Sequence, residues 1–292
     1  MIQLDNIKKV FQTEEVETWA LRNISLQVKE GEFVAIMGPS GCGKSTLLNI
    51  IGLLNNPTSG SYLLDGKDVS TLKESERTLI RRGMIGFVFQ SFNLIDELNV
   101  VDAKAAELLE MVELPAEFKD RYPHSMSGGQ RQRLGIARAL ALEPKIIVCD
   151  EATSALDVSV QEKICELLCR IQKEKNITYL FIAHDLGLVD LMCHQVAVMY
   201  LGNVVEWMEH GRIAESCKHP YTKALMGAVF KVDFKPGEKI KPLEGEIPSP
   251  LDLPPGCPFA SRCEHCTEHC VQVKPELKEV EHGHWVACHL FD

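Results

Sequence analysis

The glycine-rich stretch GPSGCGKST constrains this chain more than any other feature, because it lies between an apolar β-like run and a helix-like pattern. It fits the pattern G-x-x-x-x-G-K-[ST], with Gly38, Gly43, Lys44 and Ser45 at the defining positions. Glycines let the backbone wrap around phosphates, and the N–H groups at the helix start face their negative charge. Lys44 is expected to reach the β- and γ-phosphates, and the Ser45 hydroxyl to hold Mg²⁺. The stretch therefore predicts a nucleoside-triphosphate site.

A second apolar run, KIIVCDEA, ends in two adjacent carboxylates, Asp150 and Glu151. Ligands of a parallel sheet lie at the carboxyl ends of its strands, so these acids are expected beside the phosphate loop. One of them would then support Mg²⁺, and the other would act as base for the attacking water. Acidic pairs after strands are more often helix caps or solvated turns, and it is the phosphate loop upstream that favours catalysis here.

Two further stretches extend the predicted site. The run ITYLFIAHD ends at His184, where a histidine can contact a γ-phosphate, although an isolated His at a strand end is more often structural. In MSGGQRQRLGIARALA, Ser127-Gly128-Gly129 is expected to cap and open a helix with one apolar face. That helix start would be a second anion-binding group. One ATP does not need two, so the second is expected to serve the nucleotide of a neighbouring subunit.

Composition excludes several other classes of function. The 292 residues have a formal net charge of −10, and an acidic surface repels nucleic acid. The first residues, MIQLDNIKKVF, lack the basic start and apolar run of a secretory signal. No apolar run approaches the roughly 18–20 residues that span a bilayer. We therefore expect a cytosolic chain that reaches any membrane through a partner. Its 11 cysteines, odd in number, argue against a disulfide framework.

Five motifs together resemble the nucleotide-binding subunit of an ABC transporter: GPSGCGKST, Gln90 in FVFQSF, MSGGQ, IIVCDEATSALD and AHD. They follow that family's order and cover residues 1 to about 230. The resemblance implies an α/β P-loop NTPase fold with a RecA-like core, an N-terminal antiparallel β subdomain and a helical subdomain at about 91–143. It also implies a head-to-tail dimer with two ATPs, each held between the phosphate loop of one subunit and the SGGQ segment of the other.

The resemblance also assigns roles to residues. Glu151 is the general base, with Gln90, His184 and Lys44 as further catalytic residues. The implied Mg²⁺ ligands are Ser45, Gln90 and Asp150. The dimer-facing SALD turn contains Asp157, and the partner's ATP is contacted by Ser127, Gly128, Gly129 and Gln130. Phe11 is expected to stack on adenine, with Trp19 as a substitute and a plain core role for Phe11 as the alternative. The phosphate-binding residues are Gly38, Pro39, Ser40, Gly41, Cys42, Gly43, Lys44, Ser45 and Thr46.

The two ends of the chain resemble different branches of that family. Residues 1–100 resemble macrolide and lipoprotein exporter-type ATPases. Residues 101–292 resemble oligopeptide and dipeptide importer ATPases, through RYPHSMSGGQRQRLGIARALALEPKIIVCDEATSALDVSVQ and HPYTKAL. Between Gln90 and Ser127 the chain is about one helix shorter than is usual in the family. We therefore expect a shortened helical subdomain in the region that contacts the permease.

The last part of the chain contains a group of cysteines. Six prolines within residues 231–256 predict an extended connector, followed by a small Cys-rich extension at 257–292. Grouped thiols in the cytosol suit Zn²⁺ or an iron–sulfur cluster, and the Cys263-x2-Cys266 pair alone would favour zinc. The pattern GCPFASRC…C…HWVAC resembles the extension of peptide-importer ATPases, some of which carry a [4Fe–4S] cluster. Zn²⁺ and unligated thiols are the alternatives. The matching residues are Cys257, Cys263, Cys270 and Cys288.

Together these features predict an ATP-hydrolysing subunit, peripheral to the cytoplasmic face of the membrane, that energises peptide uptake. Its implied partners are two permeases, a second ABC ATPase or a second copy, and indirectly an extracytoplasmic substrate-binding protein. The alternatives are the ATPase of an exporter-type or mechanotransmitting system, a soluble non-transport ABC ATPase, and an inactive regulatory subunit. The single acidic cassette weighs against the soluble ATPase. The presence of Lys44, Glu151 and His184 weighs against the inactive subunit.

Overall fold

The computed structural model describes residues 1–12, 16–90, 103–183, 186–209, 213–227, 245–249 and 255–292. The strands in that part of the chain are β1 Ile2–Gln12, β2 Glu17–Val28, β3 Phe33–Met37, β4 Ser59–Leu64, β5 Lys67–Asp68, β6 Ile85–Phe89, β7 Ile146–Asp150, β8 Thr178–Ile182, β9 Gln195–Tyr200, β10 Asn203–Glu209, β11 Lys278–Glu281 and β12 His284–Val286. The α-helices are α1 Lys44–Ile51, α2 Glu74–Met84, α3 Ala103–Met111, α4 Gly128–Leu140, α5 Val158–Lys175, α6 Leu186–Met192, α7 Ile213–Ser216, α8 Pro220–Gly227 and α9 Glu268–Gln272.

The larger of two sheets places β3 near its centre. Its strand order is β11-β12-β10-β9-β3-β8-β7-β6. The strands from β9 to β6 are parallel, and β10, β12 and β11 continue the sheet in antiparallel pairing. All five residues of β3 are buried, as expected for a strand that is covered on both faces. The carboxyl ends of β3, β8, β7 and β6 therefore meet at one edge of the sheet.

Successive residues of β3 point into two separate cores. Phe33 and Ala35 face a cluster formed with α4 and α5, and Val34 and Ile36 face a cluster formed with α1 and the N-terminal strands. This follows from the two-residue period of a strand. The buried strand that precedes the phosphate loop is thus packed on both faces, and this packing fixes the position at which the loop begins.

The smaller sheet has the order β2-β1-β4-β5. All of its pairs are antiparallel, so the predicted N-terminal antiparallel β subdomain is confirmed. It joins the larger sheet through the backbone, because the Arg22 N–H donates to the Gly202 carbonyl at 2.7 Å.

The predicted helical subdomain is described from residue 103 onward. There α3 packs against α4, and Leu109, Val112, Phe118 and Met126 are buried with Leu134 of α4. Residues 91–102 of the predicted helical subdomain lie outside the described residues, so the expected shortening remains a prediction. The described helices include none with the length and apolarity that crossing a membrane requires.

The C-terminal extension is built onto the larger sheet. Its hairpin of β11 and β12 pairs with β10, with Trp285 opposite Trp207. The Phe259 ring meets Tyr200 edge-on at 5.4 Å and Tyr221 at 5.5 Å. The predicted boundaries at 230, 256 and 257 remain predictions, and most of the predicted connector lies outside the described residues. The extension and the ATPase domain nevertheless share one sheet and one core.

A fully buried carboxylate, Glu206 of β10, ties three segments together. It accepts hydrogen bonds from the Lys218 N–H at 2.6 Å and the His219 N–H at 3.3 Å. The Nε2 atom of His284 in β12 lies 2.7 Å from the same carboxylate. Buried polar groups stabilise a fold only when they are paired, and here one acid supplies partners to three of them.

Replacing Glu206 with Ala should lower the free energy of unfolding by at least about 3 kcal/mol, because several buried polar groups lose their partner. Denaturant titration of the full chain measures this change. The matched control is Glu209→Ala, on the same strand but exposed, which should change stability little. Equal effects of the two substitutions would show that the buried carboxylate does not stabilise the extension.

Candidate functional site

The phosphate loop connects β3 to α1 and depends on two glycines with positive φ. Gly38 has φ 147° and Gly43 has φ 103°, both in the region that disfavours side chains. A Cβ atom at Gly38 would overlap the carbonyl oxygen of Met199, and one at Gly43 would lie 2.5 Å from that of Ala20. The loop therefore passes between β9 and β2 at backbone contact distance, as its glycines predicted.

Lys44 opens α1 and is buried. Its Nζ atom donates to the carbonyl oxygens of Gly38 at 2.8 Å and Pro39 at 2.9 Å. The ammonium group is thus held by two neutral carbonyl oxygens of the phosphate loop, and the Asp150 carboxylate is close enough to interact with its charge. A bound polyphosphate would supply the negative charge that this buried cation favours.

The two predicted Mg²⁺ ligands lie together. The Ser45 hydroxyl donates to Oδ1 of Asp150, at the end of β7, over 3.3 Å. Burial raises the pKa of Asp150, and the nearby charge of Glu151 raises it further. The Ser45 hydrogen bond and Lys44 act in the opposite direction, but the net shift is upward. A divalent cation bound at this pair would reverse that shift, because it stabilises the charged carboxylate.

Glu151 and Gln90 follow neighbouring strands at the same edge of the sheet. Phe89, the last residue of β6, pairs with Asp150 of β7. Gln90 and Glu151 are therefore the first residues after these two neighbouring strands. Glu151 has φ 50°, which is uncommon for a residue with a side chain, and strained residues cluster at functional sites. The N–H and hydroxyl groups of Ser154 donate to its carbonyl oxygen at 3.2 and 2.9 Å and hold this turn.

The second predicted anion-binding group is a capped helix start. The Gln130 N–H donates to Oγ of Ser127 at 3.3 Å, and the Ser127 N–H donates to Oε1 of Gln130 at 2.9 Å. This reciprocal pair fixes the first turn of α4 and confirms the predicted cap. Gly128 and Gly129 form that first turn, and their backbone N–H groups belong to the unpaired set that a helix start offers to an anion.

Gly129 also sets the distance between α4 and α5. A Cβ atom there would lie 2.6 Å from Cγ1 of Val160, and one at Gly128 would lie 3.3 Å from Leu156. Close packing therefore accounts for Gly129 and leaves little room for a side chain at Gly128, whatever their part in nucleotide binding. Asp157, predicted to face a dimer partner, is the residue at the N-terminus of α5.

Phe11 lies on the surface of the N-terminal sheet, 46% exposed, so its alternative role as a core residue is wrong. Lys9 Nζ lies 5.3 Å from its ring centroid. Phe11 pairs with Thr18 of β2, whereas Trp19 pairs with Val10, so the two aromatics point to opposite faces. Exposure of Phe11 is compatible with stacking on a base.

The four cysteines predicted as metal ligands line one cavity of about 60 Å³: Cys257, Cys263, Cys270 and Cys288. Burial raises the pKa of Cys257 to about 11 and also raises those of Cys263 and Cys288, with the neighbouring thiolates adding to each shift. Burial also acts to raise the pKa of Cys270, but hydrogen bonds from Thr267 and the charge of His289 outweigh it, and this pKa is lowered. Cys266 is exposed and does not line the cavity.

Most of the predicted nucleotide-site residues are thus gathered around the end of β3, while His184 lies outside the described residues. Sequence reasoning missed Glu206 and the cationic groups of Lys8, Arg22 and Lys274. The signal for Glu206 was an acid inside an apolar strand, NVVEWM. The three cations come from distant segments, and their convergence has no signature in the sequence.

The fold and site define a P-loop nucleotide hydrolase, and comparisons with known proteins agree. Residues 21–154 match the family described as ABC transporter, and residues 205–270 match the oligopeptide/dipeptide transporter, C-terminal region. A putative oligopeptide transport ATP-binding protein of Bacillus subtilis, YkfD, is 40% identical over 319 residues, covering 100% of this chain and 95% of that protein. The oligopeptide transport ATP-binding protein AppF of Bacillus subtilis is 40% identical over 322 residues, covering 100% and 97%.

Solved structures give the same result. The structure of the ATP-binding cassette MJ0796, a dimer bound to ADP and Pi, superposes on this chain with a TM-score of 0.66 and 40% sequence identity. The superposition covers 72% of this chain and 98% of the MJ0796 chain. The chain therefore belongs to the ABC transporter ATP-binding proteins that carry the oligopeptide/dipeptide transporter C-terminal region. As a member of that family it is an ATP hydrolase that uses ATP and Mg²⁺.

Replacing Gly129 with Ala should destabilise the fold by about 1–3 kcal/mol, because the added methyl group meets the stiff Val160 side chain. Denaturant titration measures the loss, and Val160→Ala in the same chain should recover part of it. Gly83→Ala in α2 is the control, since a Cβ atom there meets nothing within 4 Å. A loss as large in Gly83→Ala, or no recovery in the double variant, would contradict this packing.

Proposed function

We propose that this chain is an ATP-hydrolysing subunit that energises peptide uptake through two permeases, at the cytoplasmic face of the membrane. The observation that carries the proposal is the union, in one sheet, of the nucleotide-site strands with the C-terminal extension. The relatives with the same two regions are named as oligopeptide transport and peptide import ATP-binding proteins. We further propose that an extracytoplasmic substrate-binding protein delivers the peptide to those permeases.

The residues around β3 divide the proposed hydrolysis between them. Lys44 binds the β- and γ-phosphates in exchange for the carbonyl contacts it makes now. Glu151 takes a proton from the attacking water, and Gln90, which follows the neighbouring strand β6, orients that water. His184 is proposed to contact the γ-phosphate.

The oxygen donors of the site fit Mg²⁺. Ser45 Oγ and Asp150 Oδ1, 3.3 Å apart, are hard ligands of the kind that this ion takes together with waters and substrate phosphates, and Gln90 is the proposed third ligand. When bound, Mg²⁺ would neutralise charge on the phosphates. The raised pKa of Asp150 means that acidification would weaken this site at a higher pH than an ordinary aspartate would allow.

The capped start of α4 supports a dimer with exchanged nucleotide contacts. The first turn of α4, capped by Ser127 and Gln130, presents the N–H groups of Gly128 and Gly129 as an anion site beyond the one that the phosphate loop offers to the chain's own ATP. We propose that they bind the ATP of a second ATPase subunit, with Asp157 facing that subunit. Closure around two ATPs would then move the permeases, and hydrolysis would reopen the dimer.

Glu151→Gln tests this function directly. In native membranes, the tagged variant solubilised with ATP and Mg²⁺ should retain ATP and co-purify with two different permeases and a second ATPase. Its hydrolysis should fall by at least about a hundredfold, because the base is lost while the binding residues remain. Mass spectrometry identifies the partners, and phosphate release gives the rate.

Glu162→Gln is the matched control, since Glu162 is an exposed residue of α5. It should hydrolyse ATP normally and recover the same partners. Near-normal turnover in Glu151→Gln would overturn the assignment of the base. An exporter-like permease, or no membrane protein at all, would overturn the import function while leaving the hydrolase intact.

We propose that the cysteine cavity holds a [4Fe–4S] cluster with a structural role. Sulfurs around one zinc lie about 3.8 Å apart, as follows from the Zn–S bond length. In residues 255–292, no three of the cysteine sulfurs lie within 4.8 Å of one another. The four thiols line one cavity, and the atoms of a cluster would fill the space between them, while zinc remains the alternative. Iron would lower the raised pKa values of Cys257, Cys263 and Cys288, because it stabilises their thiolates.

Cys263→Ser should remove iron, acid-labile sulfide and the visible charge-transfer absorption from anaerobically purified protein. Cys266→Ser should keep all three, because Cys266 does not line the cavity. Elemental analysis and absorption spectra measure both variants. Zinc without iron in the unmodified chain would establish the zinc alternative, and the absence of both metals would establish free thiols.

A further inference from the structure

A polar cavity of about 230 Å³ lies where the N-terminal sheet, the start of β10 and the C-terminal extension meet. Lys8 and β2 residues form one wall, Asn203 of β10 another, and backbone around Gly256 together with Lys274 closes the extension side. No phosphate-loop residue and neither catalytic carboxylate lines it. The cavity is therefore separate from the nucleotide site described above.

The cavity collects positive charge. Lys8, Arg22 and Lys274 all line it, and the described lining residues include no carboxylate. Although Lys274 as a whole is exposed, burial around its ammonium group lowers its pKa, and the charges of Arg22 and Lys8 lower it further. Its Nζ atom donates to the Arg22 carbonyl oxygen at 3.3 Å, which is a neutral partner. Gathered like charges cost free energy, and a bound anion would offset that cost.

The guanidinium group of Arg22 is already oriented. Its central carbon lies 5.4 Å from the ring centroid of Trp19, a cation–π arrangement that limits its freedom. A planar, oriented guanidinium with two ammonium groups beside it matches the oxygens of a phosphate group, which can accept forked hydrogen bonds from arginine.

Another part of the cavity wall is the buried amide of Asn203, only 5% exposed. Its Nδ2 atom donates to the carbonyl oxygens of Leu201 at 2.8 Å and Tyr200 at 3.4 Å, which fixes the orientation of the amide. Its Oδ1 atom meets no hydrogen-bond donor within the described part of the chain. That oxygen is itself buried away from the cavity, so the amide shapes this wall and the three cations are left to recognise a ligand.

We propose that this cavity binds a phosphate group, contributed by a free phosphorylated small molecule or by the headgroup of an anionic phospholipid. In this proposal the side chains of Arg22, Lys8 and Lys274 bind the phosphate oxygens. The bound group joins the extension to β2, whose Ala20 carbonyl oxygen touches the phosphate loop at Gly43. This proposal does not depend on the transport function.

Phosphate binding by the full chain tests it, with the ATP site first filled by a non-hydrolysable ATP analogue and Mg²⁺. In one arm of the experiment, calorimetry measures the heat released or taken up as inorganic phosphate is titrated into the protein. In the other, sedimentation compares vesicles of phosphatidylglycerol in phosphatidylcholine with vesicles of phosphatidylcholine alone. The combined variant Arg22→Gln, Lys274→Gln should lose at least about tenfold in affinity in the arm that shows binding.

Lys67→Gln removes one charge from an exposed residue of β5, away from the cavity, and should bind as the unmodified chain does. Saturable phosphate binding that only the cavity variant weakens identifies a free phosphorylated ligand. Cavity-dependent binding to phosphatidylglycerol vesicles alone identifies a lipid headgroup. No binding in either arm, or equal binding by all three proteins, overturns the proposal. If the combined variant unfolds early in a thermal melt, Lys8→Gln supplies the same comparison.

Discussion

The arrangement of the whole chain depends on how closely backbone passes backbone around the phosphate loop. Gly38 contacts the carbonyl of Met199 in β9, and Gly43 contacts that of Ala20 in β2, at distances that exclude any side chain. The Gly202 N–H donates to the Cys42 carbonyl at 2.9 Å and locks the loop to the β9–β10 turn. One loop is therefore held by both sheets. The position of Lys44, Ser45 and the start of α1 follows from these contacts, and the carboxylates of β7 meet them because neighbouring parallel strands end together.

The C-terminal extension shares this framework and is not an independent appendage. Its Phe259 packs on Tyr200, the last residue of β9, and its β12 pairs with β10. The turn between β9 and β10 is the one that contacts the phosphate loop. The extension, its cysteine cavity and the nucleotide site are thus connected through two consecutive strands. Because packed cores transmit strain, loss of ordered structure in the extension would be felt at the phosphate loop through β9 and β10.

The nucleotide site could be predicted from the sequence because its chemistry is local. Phosphate loops and strand-end carboxylates need fixed residue types at fixed spacing, so GPSGCGKST and KIIVCDEA were sufficient to place Ser45 near Asp150. The capped start of α4 was likewise predictable from Ser127 and Gln130. The attachment of β11 and β12 was not predictable, because this hairpin of two short strands with weak alternation pairs through β12 with residues 76–80 positions upstream, and only tertiary packing brings them together. The pairing of Glu206 with His284, and the convergence of Lys8, Arg22 and Lys274, are non-local for the same reason.

The hairpin of β11 and β12 also changes what this protein presents to its own copies. β10, with six of its seven residues buried, would be an open and apolar sheet edge if β12 were absent, and such edges pair readily with other chains. With the hairpin in place, the outermost strand on that side is β11, four residues long with three of them charged. Short, charged edges resist strand addition. The hairpin therefore replaces an apolar edge of the ATPase sheet with one that resists pairing with other chains.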